Sequence, residues 1–172
     1  MSAKPKRHDL WPEAPSRAPV KGIRLVMMQL EHVDEILRIE EESFPIPWTR
    51  DAFDHDLTDN ELAHYFTMFR SKEIAGYSGL WLIDTIAHLT TICIEKNHRG
   101  LGLGKWLLLK TMQIGADAGA RRFTLEVRES NVEAIRLYES AGYSAVGRRE
   151  LYYREIGEDA LIMWTGRAPY VG

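Results

Sequence analysis

Residues 99–104, Arg-Gly-Leu-Gly-Leu-Gly, place three glycines within five positions. They follow a strand-like run from Ala87 to Ile94 and open a helix-like run from Leu103 to Ala118. Glycine reaches backbone conformations closed to other residues, and a helix N-terminus leaves its first N–H groups without partners. The helix dipole adds partial positive charge there. A glycine loop feeding a helix is therefore an anion cradle, and it predicts a ligand carrying phosphate or pyrophosphate. The loop alone also admits a plain glycine turn into a helix.

Spacing narrows the choice. A Walker loop requires Gly, four residues, then Gly-Lys-Ser/Thr. Here Arg99 stands five residues before Gly104, and Lys105 is followed by Trp106, so that pattern fails. The dinucleotide fingerprint requires its third glycine three positions after the second. Gly102 is followed by Gly104 and then Lys105, so that pattern fails as well.

The rest of the chain supplies a sheet for this loop. Ile23 to Met27 reads as a first strand. Glu31 to Phe44 reads as a helix with Val33, Ile36, Leu37 and Glu40 on nearly one face, ended by Pro45 and Pro47. Thr49 caps a second helix reaching about Asp59. Tyr65 to Arg70, Ile74 to Ile83 and Ala87 to Ile94 form a meander of strands. After the loop and the third helix, which Gly119 ends, Arg122 to Arg128 is a fifth strand. A fourth helix runs from about Asn131 to Ala141, with Gly142 just beyond it. Tyr143 to Arg149 and Ala160 to Trp164 close the order. This is an α+β pattern: a mixed central sheet of about seven strands with helices on both faces. Strand four, helix three and strand five make a β-α-β unit, so those two strands are expected to be parallel.

The chain has 172 residues, a length suited to one domain of roughly 100 to 200 residues. Its net charge of -3 argues against nucleic-acid binding through the whole surface. Charge is uneven, however. Residues 1–21 hold Lys4, Lys6, Arg7, Arg17 and Lys21 against Asp9 and Glu13, a net of +3, which leaves -6 on the remainder. The same segment holds four of the seven prolines. It reads as a basic, extended, non-core arm, with the folded domain occupying residues 22–172. The single cysteine, Cys93, excludes an internal disulfide. No apolar run approaches the ~18 residues of a membrane span. A soluble, cytoplasmic protein without a membrane or nucleic-acid partner is the expectation, its oligomeric state open.

Three residues carry candidate chemistry. Glu126 stands inside an apolar strand, where unpaired burial would raise its pKa and suit it to act as a general base. The alternative is a half-exposed carboxylate paired with Arg128 or a cross-strand partner. Asn131 follows Ser130, which with Glu133 matches a capping box. Ser130 as the cap would leave the Asn131 amide free for a ligand. Tyr138 falls at helical spacing beside Ala134 and Ala141, as core filler or with its hydroxyl on a partner.

Together the segments Arg99 to Gly104, Leu125 to Arg128 with Ser130-Asn131, Ala134 to Glu139, and Gly142-Tyr143 resemble the successive motifs of the GNAT N-acetyltransferases. Within that family they are most similar to the RimI type, bacterial enzymes that acetylate the N-terminal alanine of a ribosomal protein. Phe44, Pro47-Trp48, Tyr152-Tyr153 and Glu158 to Ala160 add to the resemblance, which spans about Ile23 to Trp164.

The resemblance implies a GNAT fold, and acetyl-CoA as acetyl donor. It implies Glu126 as general base, Tyr138 as general acid and Asn131 as a coenzyme-A contact. Ile92, Cys93 and Ile94 match the strand whose backbone pairs with the pantetheine arm, and backbone N–H groups near Cys93 would steady an oxyanion. Arg99, Gly100, Leu101, Gly102, Leu103, Gly104 and Lys105 match the pyrophosphate loop. Pro47, Trp48, Tyr152 and Tyr153 match the walls of a peptide groove. No metal is implied, and the six histidines are scattered. Cys93 stands where alanine is usual, and Gly100-Leu101 replaces a more polar pair. A mid-strand cysteine reads as a small buried hydrophobe. Two other readings stay open: a broad-specificity N-terminal or small-molecule amine acetyltransferase, and a non-catalytic coenzyme-A-binding module.

Overall fold

The computed structural model describes residues 11–165. Seven strands form one sheet: β1 (Ile23–Met27), β2 (Ala63–Arg70), β3 (Glu73–Ile83), β4 (Ile86–Ile94), β5 (Arg122–Arg128), β6 (Tyr143–Tyr153) and β7 (Glu158–Thr165). Their order is β1-β2-β3-β4-β5-β7-β6. β4 and β5 pair in parallel, and the other neighbours are antiparallel. The lone parallel pair is the one joined by a helix, because a parallel return needs a crossover longer than a hairpin.

Among the described residues four α-helices cover the two faces: α1 (Val33–Ser43), α2 (Arg50–Thr58), α3 (Leu103–Asp117) and α4 (Val132–Ser140). On one face Val33, Ile36 and Ile39 of α1 and Phe53 of α2 pack with Tyr65, Tyr77 and Cys93. On the other, Leu108, Leu109 and Met112 of α3 meet Leu80, Leu89, Phe123, Leu125 and Val127. Strand alternation divides β5 between them, so that Thr124, Glu126 and Arg128 point away from α3.

Two local expectations change. The N-cap of α4 is Asn131, whose side chain accepts from the Ala134 N–H at 3.2 Å. Ser130 instead donates to Glu158 Oε2 at 2.5 Å. Glu158, the first residue of β7, thus captures the hydroxyl, and the cap passes to the next residue. The arm is the second change. Trp11 is only 8% exposed and meets the Phe123 ring edge-on at 5.0 Å. Ala14 packs on the same core, and Ala18 and Val20 on the cluster around Leu103 and Leu107. Residues 11–20 contain no helix or strand, as the prolines predict, but the segment is part of the core. Residues 1–10 of the arm lie outside the described residues. Among the described residues no helix is long and apolar enough to cross a membrane.

Candidate active site

β4 and β5 stay together for three residue pairs, Ile86 with Arg122, Ala87 with Phe123 and His88 with Thr124. Beyond them the strands part, and among the described residues the β5-facing edge of Leu89 to Ile94 has no strand partner. A cleft of about 140 Å3 opens in the gap. Thr90, Thr91 and Ile92 line it from β4, and Glu126, Val127 and Arg128 from β5. Glu40 and the residues after α1, including Trp48, form one end; Asn131, Tyr138 and Tyr153 form the other side.

Glu126 is mostly buried and paired. Its Oε2 lies 2.5 Å from His88 Nε2, and Arg149 lies 3.6 Å from Oε1. An ionised carboxylate only accepts, so His88 Nε2 carries the proton of this bond. Burial by itself would raise the Glu126 pKa. The His88 hydrogen bond, with the charges of His88 and Arg149, outweighs it and holds the carboxyl below its ordinary value. This reverses the expected upward shift. The cross-strand partner is His88, which pairs in register with Thr124, two residues before Glu126, while Arg128 turns to Glu158 at 3.5 Å. His88 was missed from sequence because the contact depends on parallel register. The available signal was its place as the one basic side chain between Ile86 and Ile94.

Tyr138 is buried in the same cleft, and that burial pushes its phenol well up, so it holds its proton at neutral pH. Tyr153 also lines the cleft, its phenol pushed up to about 12 by burial. Tyr152 stacks edge-on against it at 5.0 Å but is exposed and outside the lining. Trp48 lines the cleft and packs on Phe53 and Tyr65, whereas Pro45 and Ile46 take the wall position expected of Pro47. Burial pushes the Cys93 thiol up, consistent with a neutral core side chain.

Glu40 is the other residue that sequence reasoning left unassigned at the site. It is fully buried yet lines the cleft. Its Oε1 accepts from Tyr77 Oη at 2.8 Å and Thr91 Oγ1 at 3.2 Å, and its Oε2 from the Trp48 N–H at 3.0 Å. Burial still raises its pKa. The helical face was readable; the donors come from three other segments.

The glycine loop lies beyond the far end of β4. Gly100 and Gly102 have φ of 75° and 77°, in the left-handed region that favours glycine. Among the described residues, the N–H groups of residues 100–105 meet no acceptor. An added Cβ at Gly100 would meet nothing within 4 Å. Lys105 is exposed in the first turn of α3. Arg99 is exposed but folds back along the surface: its guanidinium donates to the Ile94 carbonyl at 2.8 Å and to Ser43 Oγ at 3.0 Å. Its side chain braces the loop against β4 and α1.

Residues 33–143 match the model of the Acetyltransferase (GNAT) family. A Bacillus subtilis protein named for alanine N-acetylation of ribosomal protein bS18 is 42% identical over 138 residues, covering 80% of this chain and 91% of that protein. The chain belongs to the GNAT acetyltransferase family. The Escherichia coli [ribosomal protein bS18]-alanine N-acetyltransferase is 30% identical, covering 73% of this chain and 84% of that enzyme. The fold matches the crystal structure of the Escherichia coli ribosomal-protein-S18-alanine N-acetyltransferase with a TM-score of 0.76 and 24% identity, over 87% of this chain and 99% of that one.

The chain is therefore an acyltransferase with a GNAT fold, and its acetyl donor is acetyl-CoA. The residues present fit that donor. Unpartnered amides at a helix N-terminus suit a pyrophosphate, and an unpaired strand edge suits an extended arm with amide groups.

Proposed function

We propose that this protein acetylates the N-terminal α-amine of a protein by direct transfer, and that its substrate begins with alanine on a ribosomal protein. The observation that carries the proposal is one cleft holding both an ionised Glu126, fixed by His88, and a protonated, buried Tyr138. The similarity to enzymes named for bS18 alanine supports the choice of substrate. A ribosomal substrate places the reaction in the cytoplasm. Residues 22–172 form the acetyltransferase domain in this reading, and the arm contributes Trp11 to its core.

A protein α-ammonium has a pKa of about 7.7 to 8.0, so part of it is neutral at pH 7. Acetyl-CoA, when bound, supplies an acetyl thioester whose carbonyl the amine attacks. Glu126 accepts the proton released by the amine, directly or through one water, with His88 steadying the carboxylate. Tyr138 keeps a proton on its phenol oxygen for the departing anion. Unpaired N–H groups on the β4 edge would donate to the oxyanion in this reading. Asn131 caps α4 with its side-chain oxygen, which leaves its amide nitrogen for the coenzyme.

Mass spectrometry tests the proposal. The protein is mixed with acetyl-CoA and a peptide beginning Ala-Arg with an internal lysine, and with the same peptide blocked at its N-terminus. One acetyl group on the free N-terminus and none on the blocked peptide is the expected result. Lysine acetylation in both peptides would overturn it.

A further inference from the structure

Thr90 is the extra residue of a bulge in β4. Gly79 pairs with Thr91 and Leu80 with Leu89, which leaves Thr90 opposite no residue of β3. A bulge re-aims side chains that strict alternation would send to opposite faces, and Thr90 and Thr91 both line the cleft. The Thr91 hydroxyl donates to Glu40. The Thr90 hydroxyl takes a different partner, Tyr65 Oη, at 3.0 Å.

A hydrogen-bond chain fixes where each proton points. Asp56 is buried, and it receives Tyr65 Oη at 2.8 Å, Trp81 Nε1 at 2.7 Å and Asn60 Nδ2 at 2.9 Å. Asp56 Oδ2 thus accepts from both the Tyr65 hydroxyl and the Trp81 indole, and Oδ1 accepts from the Asn60 amide. Tyr65 must then give its one proton to Asp56, and toward Thr90 it accepts. Thr90 in turn gives its one proton to Tyr65. Tyr65 has no freedom to turn away, because its ring covers Gly79 so closely that an added Cβ would stand 2.2 Å from Cε1. Burial also keeps the Tyr65 phenol protonated. The Thr90 oxygen therefore offers the cleft lone pairs alone.

We infer that Thr90 is a specificity-determining residue that accepts a hydrogen bond from the acceptor's α-amine. A primary amine keeps N–H groups after Glu126 takes its proton, and an acceptor-only oxygen in the same cleft holds one of them. Thr90 thereby selects amines with an N–H to spare and orients the lone pair. The inference rests on the proposed N-terminal α-amine substrate.

The test compares kcat/KM for the Ala-Arg peptide and for the same peptide beginning with N-methyl-alanine, using wild type, Thr90→Val and Thr90→Ser. Thr90→Val keeps shape and removes the acceptor. It should lower kcat/KM for the alanine peptide about tenfold, the loss of one hydrogen bond to an amine. The N-methyl peptide and the KM for acetyl-CoA should change less than about twofold. Thr90→Ser should preserve the discrimination. An equal fall for both peptides, or no change for either, would overturn the inference while leaving the proposed reaction intact. If wild type fails to acetylate the N-terminus at all, the proposed reaction and the inference fall together.

Discussion

Glu126 illustrates why identity and environment must be read together at the level of single residues. A carboxylate among apolar strand residues suggests an elevated pKa, but His88 and Arg149 reverse the sign. A base that is already ionised gives less driving force per proton and is always available. Glu126→Gln removes the acceptor and keeps the shape, so turnover should fall by roughly 10² or more, the scale of general-base catalysis. Acetyl-CoA binding, followed by calorimetry, should persist. The shift also fixes a pH profile. Because the native pKa lies below the unfolded value, the stability that the pair contributes is present above about 4.3 and lost as pH falls through the native value. Glu126 is then ionised throughout the working range, and the acid limb of kcat/KM belongs to the substrate ammonium. In wild type kcat/KM should rise about tenfold from pH 6 to 7 and level near 8. A flat profile from pH 6 to 8, with the fall confined to more acid pH, would return control to Glu126. None of this was legible without β4–β5 register, whereas the candidacy of Glu126 was.

The elements themselves were readable because period and punctuation agree. β1 and β5 have the expected bounds, and α1 to α4 lie within a few residues of theirs. What joins the elements was less readable, and Glu40 shows why. It lies on the buried face of α1, as helical spacing requires, but its worth depends on Tyr77 of β3, Thr91 of β4 and the chain at Trp48. Glu40→Ala would strand three donors, each costing about 1 kcal/mol or more when left unpaired. Thermal unfolding should shift down by at least about 6 °C, at about 2 to 4 °C per kcal/mol for a domain of this size. Glu40→Gln keeps one carbonyl acceptor and should cost less. Its pH dependence has a definite sign. A raised native pKa means that Glu40 stabilises the fold most at low pH and loses that contribution as pH rises. The penalty of Glu40→Gln, measured by denaturant unfolding, should therefore shrink from pH 4 to pH 7. A penalty that grows with pH would show the carboxylate to be better solvated than its burial implies.

At the scale of the whole molecule, the sheet, its two helical faces and the single parallel pair followed from the order of elements, but the outer limit of the core did not. Four prolines and a net charge of +3 identify residues 1–21 as irregular, and one aromatic side chain in such a segment leaves no periodic trace. Trp11 nevertheless closes the cluster formed by Phe123, Met112, Ala116 and Ala120. From there the segment returns past Ala14 to Ala18 and Val20, which pack near Leu103, and Pro19 stands close to Gly102. It thus spans α3 from its C-terminal end to the loop at its start. Burying an indole contributes through apolar area and through edge-on ring contact. Trp→Ala in a core costs about 3 to 5 kcal/mol, a large part of the 5 to 15 kcal/mol typical of a domain. Trp11→Ala should therefore lower the unfolding temperature by about 6 °C or more, with Trp11→Phe recovering much of the loss. Because the anchor lies away from the cleft, kcat at a temperature where both proteins are folded should stay within about twofold of wild type. A variant that unfolds like wild type would show Trp11 to be a surface contact, and the folded domain would then begin at residue 22.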